Sequence, residues 1–193
     1  MSNTIEMKFA PTPEKLDFRI DIAAEKDWEA CKNLRELAIT GDDAKMFNAN
    51  PESVAYEKQK TEEEWRKDLS SDTVFYVLSQ KGSEPIGIGS ADQIPSMGEG
   101  VWGLHDGYVK LEFRGNHIAQ KMFATRINEI QRRGGKLVVA YIRMDNEKQL
   151  NLAKKFGFEK YGENPKVAPE FQRMALDLSE PKDFSQFLEE DKK

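Results

Sequence analysis

Arg114-Gly115-Asn116-His117-Ile118-Ala119 opens an amphipathic helix directly after an apolar strand, and Lys136 to Ile142 (KLVVAYI) follows that helix as a continuous apolar run. A run apolar at successive positions suits a strand buried on both faces. Strand, helix and buried strand in this order make a parallel crossover, right-handed by the rule for such units. The helix between them places Ile118, Met122, Phe123, Ile127 and Ile130 on one face and stops at Gly134-Gly135. Further on, Asn146 precedes a short helix expected over Glu147 to Phe156, and Gly157-Phe158 closes it. The glycine-bearing turn at the start of the crossover helix presents backbone N–H groups and a partial positive charge, a place where a phosphate can be held.

The flanking sequence extends the sheet. Phe18 to Ile22 alternates apolar and polar residues as a half-buried strand does, and a helix is expected from Glu25 to Ile39, with Trp28, Cys31, Leu34 and Leu37 spaced by three. Gly41-Asp42-Asp43 ends it, Pro51-Glu52 can begin a second helix, and Thr61 with Glu64 three positions on reads as the capped start of a third. Strands follow at Val74 to Ser79, Pro85 to Ala91 and Val101 to Val109, the last carrying Gly107, which suggests a bulge or a close backbone approach. Two more are expected near Phe158 to Tyr161 and Phe171 to Leu178. The expected architecture is a mixed α/β sheet with one parallel β-α-β crossover flanked by helices, in a single domain over 17–178. Residues 1–16 read as a loosely attached lead-in, and 179–193 as a charged, frayed tail.

At 193 residues the chain can bury a substantial core as one domain. The 29 basic and 34 acidic residues give a formal charge of −5 with no Lys/Arg-rich block, which disfavours a nucleic-acid partner and suits a cationic small molecule. No apolar run is long enough to span a membrane, and the first fifteen residues lack the apolar core of a signal peptide. Cys31 is the single cysteine and sits on a helix's apolar face, the place of a buried structural thiol rather than a nucleophile. A reducing, cytoplasmic location follows as the expectation. No metal site is expected.

The order of these elements and two short motifs resemble the GNAT family of acetyl-CoA-dependent N-acetyltransferases. The family's cofactor signature is Gln/Arg-x-x-Gly-x-Gly/Ala; Arg114 and Ala119 fill its ends, Gly115 supplies a glycine nearby, and His117 stands where the central glycine belongs. Its second signature, an Asn after the next strand and a closing Gly-Phe, is matched by Asn146, Gly157 and Phe158. The resemblance covers residues 17 to 178.

It implies a cofactor site for acetyl-CoA formed by Arg114, Gly115, Asn116, His117, Ile118 and Ala119 at the pyrophosphate, with backbone near Tyr108 and Val109 and the side chain of Asn146 on the pantetheine arm. Asn146-Glu147-Lys148-Gln149 is equally a helix-capping pattern, and one residue can serve both through different atoms. The implied reaction is direct acetyl transfer to a primary amine of a small molecule or peptide. A general base is then needed near neutral pH, and His105 has a suitable intrinsic pKa. His105 aligns with one of two strand histidines in the arylalkylamine branch, whose partner position is Gly103 here; Asp106 is the weaker choice. The tyrosine that many members carry seven residues after the Asn is replaced by Ala153, so Tyr141, Tyr161 or a water must protonate the leaving thiolate. Trp28, Phe47, Tyr56, Trp65 and Trp102 are either core or acceptor-pocket aromatics, with helical spacing favouring core. Glu63, Glu64 and Asp68 read as a solvated helix face.

Ala153 and His117 keep open a second reading, a catalytically weak acyl-CoA-binding or sensing module. A nucleotide-binding α/β protein is disfavoured, because residues 132–142 carry no Asp or Glu to hold a ribose. The resemblance leaves room for a homodimer.

Overall fold

The computed structural model of the protein describes residues 16–47, 51–166 and 168–189. The elements are β1 (Arg19–Ile22), α1 (Trp28–Thr40), α2 (Pro51–Gln59), α3 (Glu62–Leu69), β2 (Val74–Lys81), β3 (Glu84–Gln93), β4 (Val101–Val109), α4 (Ile118–Arg132), β5 (Leu137–Arg143), α5 (Glu147–Lys155), β6 (Glu159–Lys160), β7 (Phe171–Asp177) and α6 (Gln186–Glu189). In the described residues the strands form one seven-stranded sheet in the order β1-β2-β3-β4-β5-β7-β6. Every neighbouring pair is antiparallel except β4–β5, which is parallel and joined through α4. The mixed α/β sheet and its single crossover are those expected from sequence.

Local chemistry explains the boundaries. Thr61 and Glu64 form the reciprocal cap at the start of α3: the Glu64 N–H donates to Thr61 Oγ1 at 3.3 Å and the Thr61 N–H to Glu64 Oε2 at 2.7 Å. That arrangement holds the Glu64 carboxyl below its usual range, chiefly through the Thr61 backbone N–H. At the end of α5 the Phe158 N–H reaches the Ala153 carbonyl and the Gly157 N–H the Lys154 carbonyl, with Gly157 at φ 84°. This is a Schellman stop, which needs a left-handed residue and an apolar one after it. The Gly157-Phe158 pair is therefore a helix terminator that also docks Phe158 against Phe123, ring centroids 5.4 Å apart.

Each face of the sheet carries its own core. On one, α4 and α5 pack over Phe75, Trp102, Leu104, Val138 and Leu176; on the other, α1 and α3 bring Cys31, Leu34 and Trp65 onto Tyr76, Leu78 and Ile88. Burial pushes the Cys31 thiol up to about 12, aided by Asp27, so it is inert as a nucleophile at neutral pH.

Four expectations need correction. The first helix begins as a 3₁₀ turn over Glu25–Asp27 before α1 starts. Leu37 is 46% exposed, because steps of three fall about 60° short of a full turn each time and Leu37 ends opposite Trp28. β5 is not buried throughout, since Tyr141 is 39% exposed. The segment after 178 is not frayed through Glu189: Phe184 and Phe187 stack on Phe156 at 5.6 and 4.1 Å, and Gln131 exchanges two hydrogen bonds with the Lys182 backbone. Two phenylalanines among charges are enough to pin a tail when a third lies beneath them. Of the expected lead-in only Leu16 is described, and it packs against the core; the rest lies outside the described residues.

Candidate active site

β4 and β5 pair from Val101↔Leu137 to Leu104↔Ala140 and then part. β5 continues to Arg143 paired only with β7, and β4 continues to Val109 paired only with β3. The gap between them is the mouth of a cleft of about 480 Å³, lined among others by Phe47, His105, Arg126, Tyr141, Asn146 and Gln149.

A bulge in β4 coincides with the parting. Ile88 opposes Tyr108 and Ser90 opposes His105, so Gly89 alone faces both Asp106 and Gly107. Asp106 takes up the extra residue at φ 56°, a left-handed conformation in which Asp is among the tolerated residues. Its carboxylate accepts from Ser90 Oγ at 2.9 Å and contacts Arg35 Nη1 at 2.8 Å, and Arg35 lies 3.5 Å from Glu57. The bulge is thereby tied to α1 and α2.

His105 keeps the alternation of β4 and lies on the Gly103 face. Its ring folds back over Gly103, where an added Cβ would collide with Nε2. The glycine at the family's second histidine position is thus the space that the single histidine occupies. Nε2 contacts Asp92 Oδ1 of β3 at 2.7 Å. Burial works against the imidazolium, but the Asp92 carboxylate outweighs it and raises the His105 pKa above its ordinary value.

Asn146 lines the same cleft. Its Oδ1 accepts from the Gln149 N–H at 3.2 Å and caps α5, while Nδ2 has no hydrogen-bond partner among the described residues. Tyr141 also lines the cleft. Ala153 is fully buried in the core, and the residue α5 presents to the cleft is Gln149, one turn earlier.

The phosphate-type turn sits at the other end of this path. The N-cap of α4, His117, has φ 57° and makes no side-chain cap, so that first-turn N–H groups point out of the helix start as such a site requires. Gly115 has φ 85°, and Asn116 Nδ2 donates to the Phe113 carbonyl at 3.0 Å, shaping the loop; Ile118 is buried and Ala119 exposed. Arg114 is committed within the chain. Its Nε donates to the Val109 carbonyl at 2.8 Å, and Nη2 pairs with Asp43. Val109 is buried, and Tyr108 turns to the α1 side, its ring 6.3 Å from Phe47.

Of the aromatics weighed for an acceptor pocket, Trp65 and Trp102 are core at 1% exposure, Trp28 packs against the core under α1 and α3, and Tyr56 is outside at 63%, leaving Phe47 at the cleft. Asp68 is engaged by Lys60. Sequence reasoning overlooked Asp92, Arg126, Gln149 and the Arg35–Glu57 pair. The pairing of Gly89 against Gly107 across β3 and β4 was the available signal for Arg126, whose side chain fills the room they leave.

The model of the acetyltransferase (GNAT) family matches residues 40–158. No curated protein matches the chain by sequence. Among solved structures, the PaiA N-acetyltransferase of Thermoplasma acidophilum in complex with coenzyme A superposes with a TM-score of 0.66 at 14% identity, over 83% of this chain and 99% of that one. A putative acetyltransferase of Salmonella typhimurium, YncA, with acetyl-CoA gives 0.64 at 19%, over 86% and 97%. An N-acetyltransferase of Staphylococcus aureus gives 0.63 at 20%, over 84% and 99%.

Proposed function

The chain belongs to the GNAT acetyltransferase family, and from that premise we propose that it transfers acetyl from acetyl-CoA to a primary amine of a small molecule or peptide, using a catalytic domain over 17–178. The observation that carries this reading is the parting of β4 from β5 beyond Leu104 and Ala140, with the His105–Asp92 pair and Asn146 at one cleft. Acetyl-CoA supplies an activated acyl carbon and a thiol leaving group.

The chain's own residues bind, orient and move protons. The turn over Gly115–Ala119 and the start of α4 hold the pyrophosphate through backbone N–H groups and the helix dipole. Arg114, engaged by Val109 and Asp43, shapes that turn. Asn146 holds the arm by Nδ2 while Oδ1 caps α5. Backbone along β4 near Tyr108 and Val109 offers the edge that β5 has left unpaired. His105 takes the proton from the attacking amine, and Asp92 orients its ring and stabilises the imidazolium. The carboxylates of Asp92 and Asp106 favour a cationic acceptor. Tyr141, which lines the cleft, returns a proton to the leaving sulfur.

Thermal stabilisation by acetyl-CoA and CoA against a set of nucleotides tests the binding half, since a ligand at about 100 times its Kd adds about 2.7 kcal/mol. Release of free thiol across a panel of amines tests the chemistry. No stabilisation by either CoA compound rejects the reading outright. Stabilisation without turnover on any amine favours the acyl-CoA-sensing module, to which the buried, hydroxyl-free Ala153 lends support.

A further inference from the structure

Arg126, in the third turn of α4, is 3% exposed and wedged beneath the bulge. Its Nη1 donates to the carbonyls of His105 at 2.9 Å and Ser90 at 3.3 Å, and its Nε to the Met122 carbonyl at 3.3 Å. Two glycines make the room. A Cβ at Gly89 would stand 3.0 Å from the guanidinium carbon, and one at Gly107 would stand 3.4 Å from Nη2. Nη2 itself has no hydrogen-bond partner among the described residues, and the side chain forms part of the cleft wall. Burial lowers the Arg126 pKa to about 10, with the Asp106 charge opposing the change, so the group stays cationic at neutral pH.

A buried cation with two nitrogens fixed by carbonyls and a third open toward a cavity is arranged for a negative ligand atom. Arg126 lies eight positions from Ile118, about 12 Å along α4. A ligand anchored by its phosphates at the helix start and extended toward the bulge therefore brings its far end to the level of Arg126. The other arginine of the cleft, Arg143, is held by Asp145 through two contacts of 2.9 and 3.0 Å.

Resting on the acetyltransferase reading, we propose that Arg126 is a catalytic residue whose open Nη2 meets the leaving sulfur and stabilises it as the thiolate. In the step, the amine lone pair forms the C–N bond and the C–S bond breaks with its electron pair passing to sulfur. The amine's proton goes to His105. Charge on the carbonyl oxygen is transient and can be met by backbone N–H groups that a bulge leaves unpaired. Charge on sulfur outlasts the step, and a fixed cation in a water-poor wall holds it until a proton arrives.

The test is the titration of the thiol of CoA bound to the intact protein, followed by the ultraviolet absorbance of the thiolate. The bound thiol should titrate about one pH unit or more below that of free CoA. Arg126→Gln should abolish that shift and lower kcat by about 10²-fold, with a smaller change in the KM for acetyl-CoA. Arg126→Lys keeps the charge but forfeits the forked bonds to the bulge, and should retain part of the shift. A bound thiol titrating at or above the free value in the unaltered protein overturns the proposal, whether or not any variant folds. So does an equal shift in the Gln and Lys variants, which would leave Arg126 a positioning residue for the bulge. Failure of the unaltered protein to bind CoA at all rejects the acetyltransferase reading instead.

Discussion

The two halves of β4 share one strand and little else. Val101 to Leu104 is paired to β5, Trp102 to Leu104 to β3 as well, and all four residues are buried. His105 to Val109 is paired on one edge, through a bulge, and faces a cleft on the other. In the first half, ladder hydrogen bonds and the aromatic core satisfy everything, and nothing is left for a ligand. In the second, polar side chains from three helices take over where β5 leaves off: Arg126 from α4, Arg35 from α1 and Glu57 from α2. The cleft opens at the residue where pairing ends. The comparison breaks if the first half proves dispensable for stability or the second half proves indifferent to its charges.

The largest effect is expected in the paired half. Trp102 is 1% exposed, its ring centroid 5.8 Å from that of Phe75 and its side chain in the core under α4. Trp102→Ala should cost about 3–5 kcal/mol of unfolding free energy through lost burial and a cavity. Denaturant midpoints measure it. A loss below about 1 kcal/mol, the size of an ordinary substitution, would mean that the sheet does not depend on this half.

The cleft half should respond in rate and pH rather than in stability. His105→Gln is expected to lower kcat about 10²-fold and remove the acidic limb of the rate profile. Asp92→Asn should leave the limb but move it. A base works in its neutral form, so the limb lies at the His105 pKa, which the carboxylate of Asp92 raises above the ordinary imidazole value. Without that carboxylate the pKa falls, and the rate persists to lower pH. A limb displaced upward in Asp92→Asn, or one surviving in His105→Gln, would take the proton-transfer role away from this pair.

The same division explains what could be read from the sequence. Element order was legible because apolar periodicity reports burial directly: the α4 stripe Ile118, Met122, Phe123, Ile127, Ile130 and the run in β5 needed no partner to be recognised. His105 and Asn146 were marked as candidates by type and position, and both line the cleft. Asp92 was not, since its meaning arises only when β3 and β4 are in register. Arg126 was missed because an arginine on a helix reads as solvated, and the carbonyls it serves become unpaired only after the strand bulges. Phe184 and Phe187 were lost among charges that say nothing of the ring beneath them.

The smallest effect concerns the turn into which β4 leads. His117 has φ 57° at the N-cap of α4, the backbone state that glycine adopts freely and a Cβ resists. The left-handed state costs a side chain about 1–2 kcal/mol, and glycine gives back about 0.5–1 kcal/mol in unfolded-chain entropy, so His117→Gly should stabilise the protein by about 0.5–1 kcal/mol. The expected readout is a rise in the unfolding midpoint with CoA bound as tightly as before or more so, since the phosphate then meets backbone without a ring at its rim. No rise in the midpoint would deny the strained backbone. A more stable variant that binds CoA more weakly would instead make the imidazole itself a phosphate ligand, extending the polar half of the comparison from the cleft to the turn.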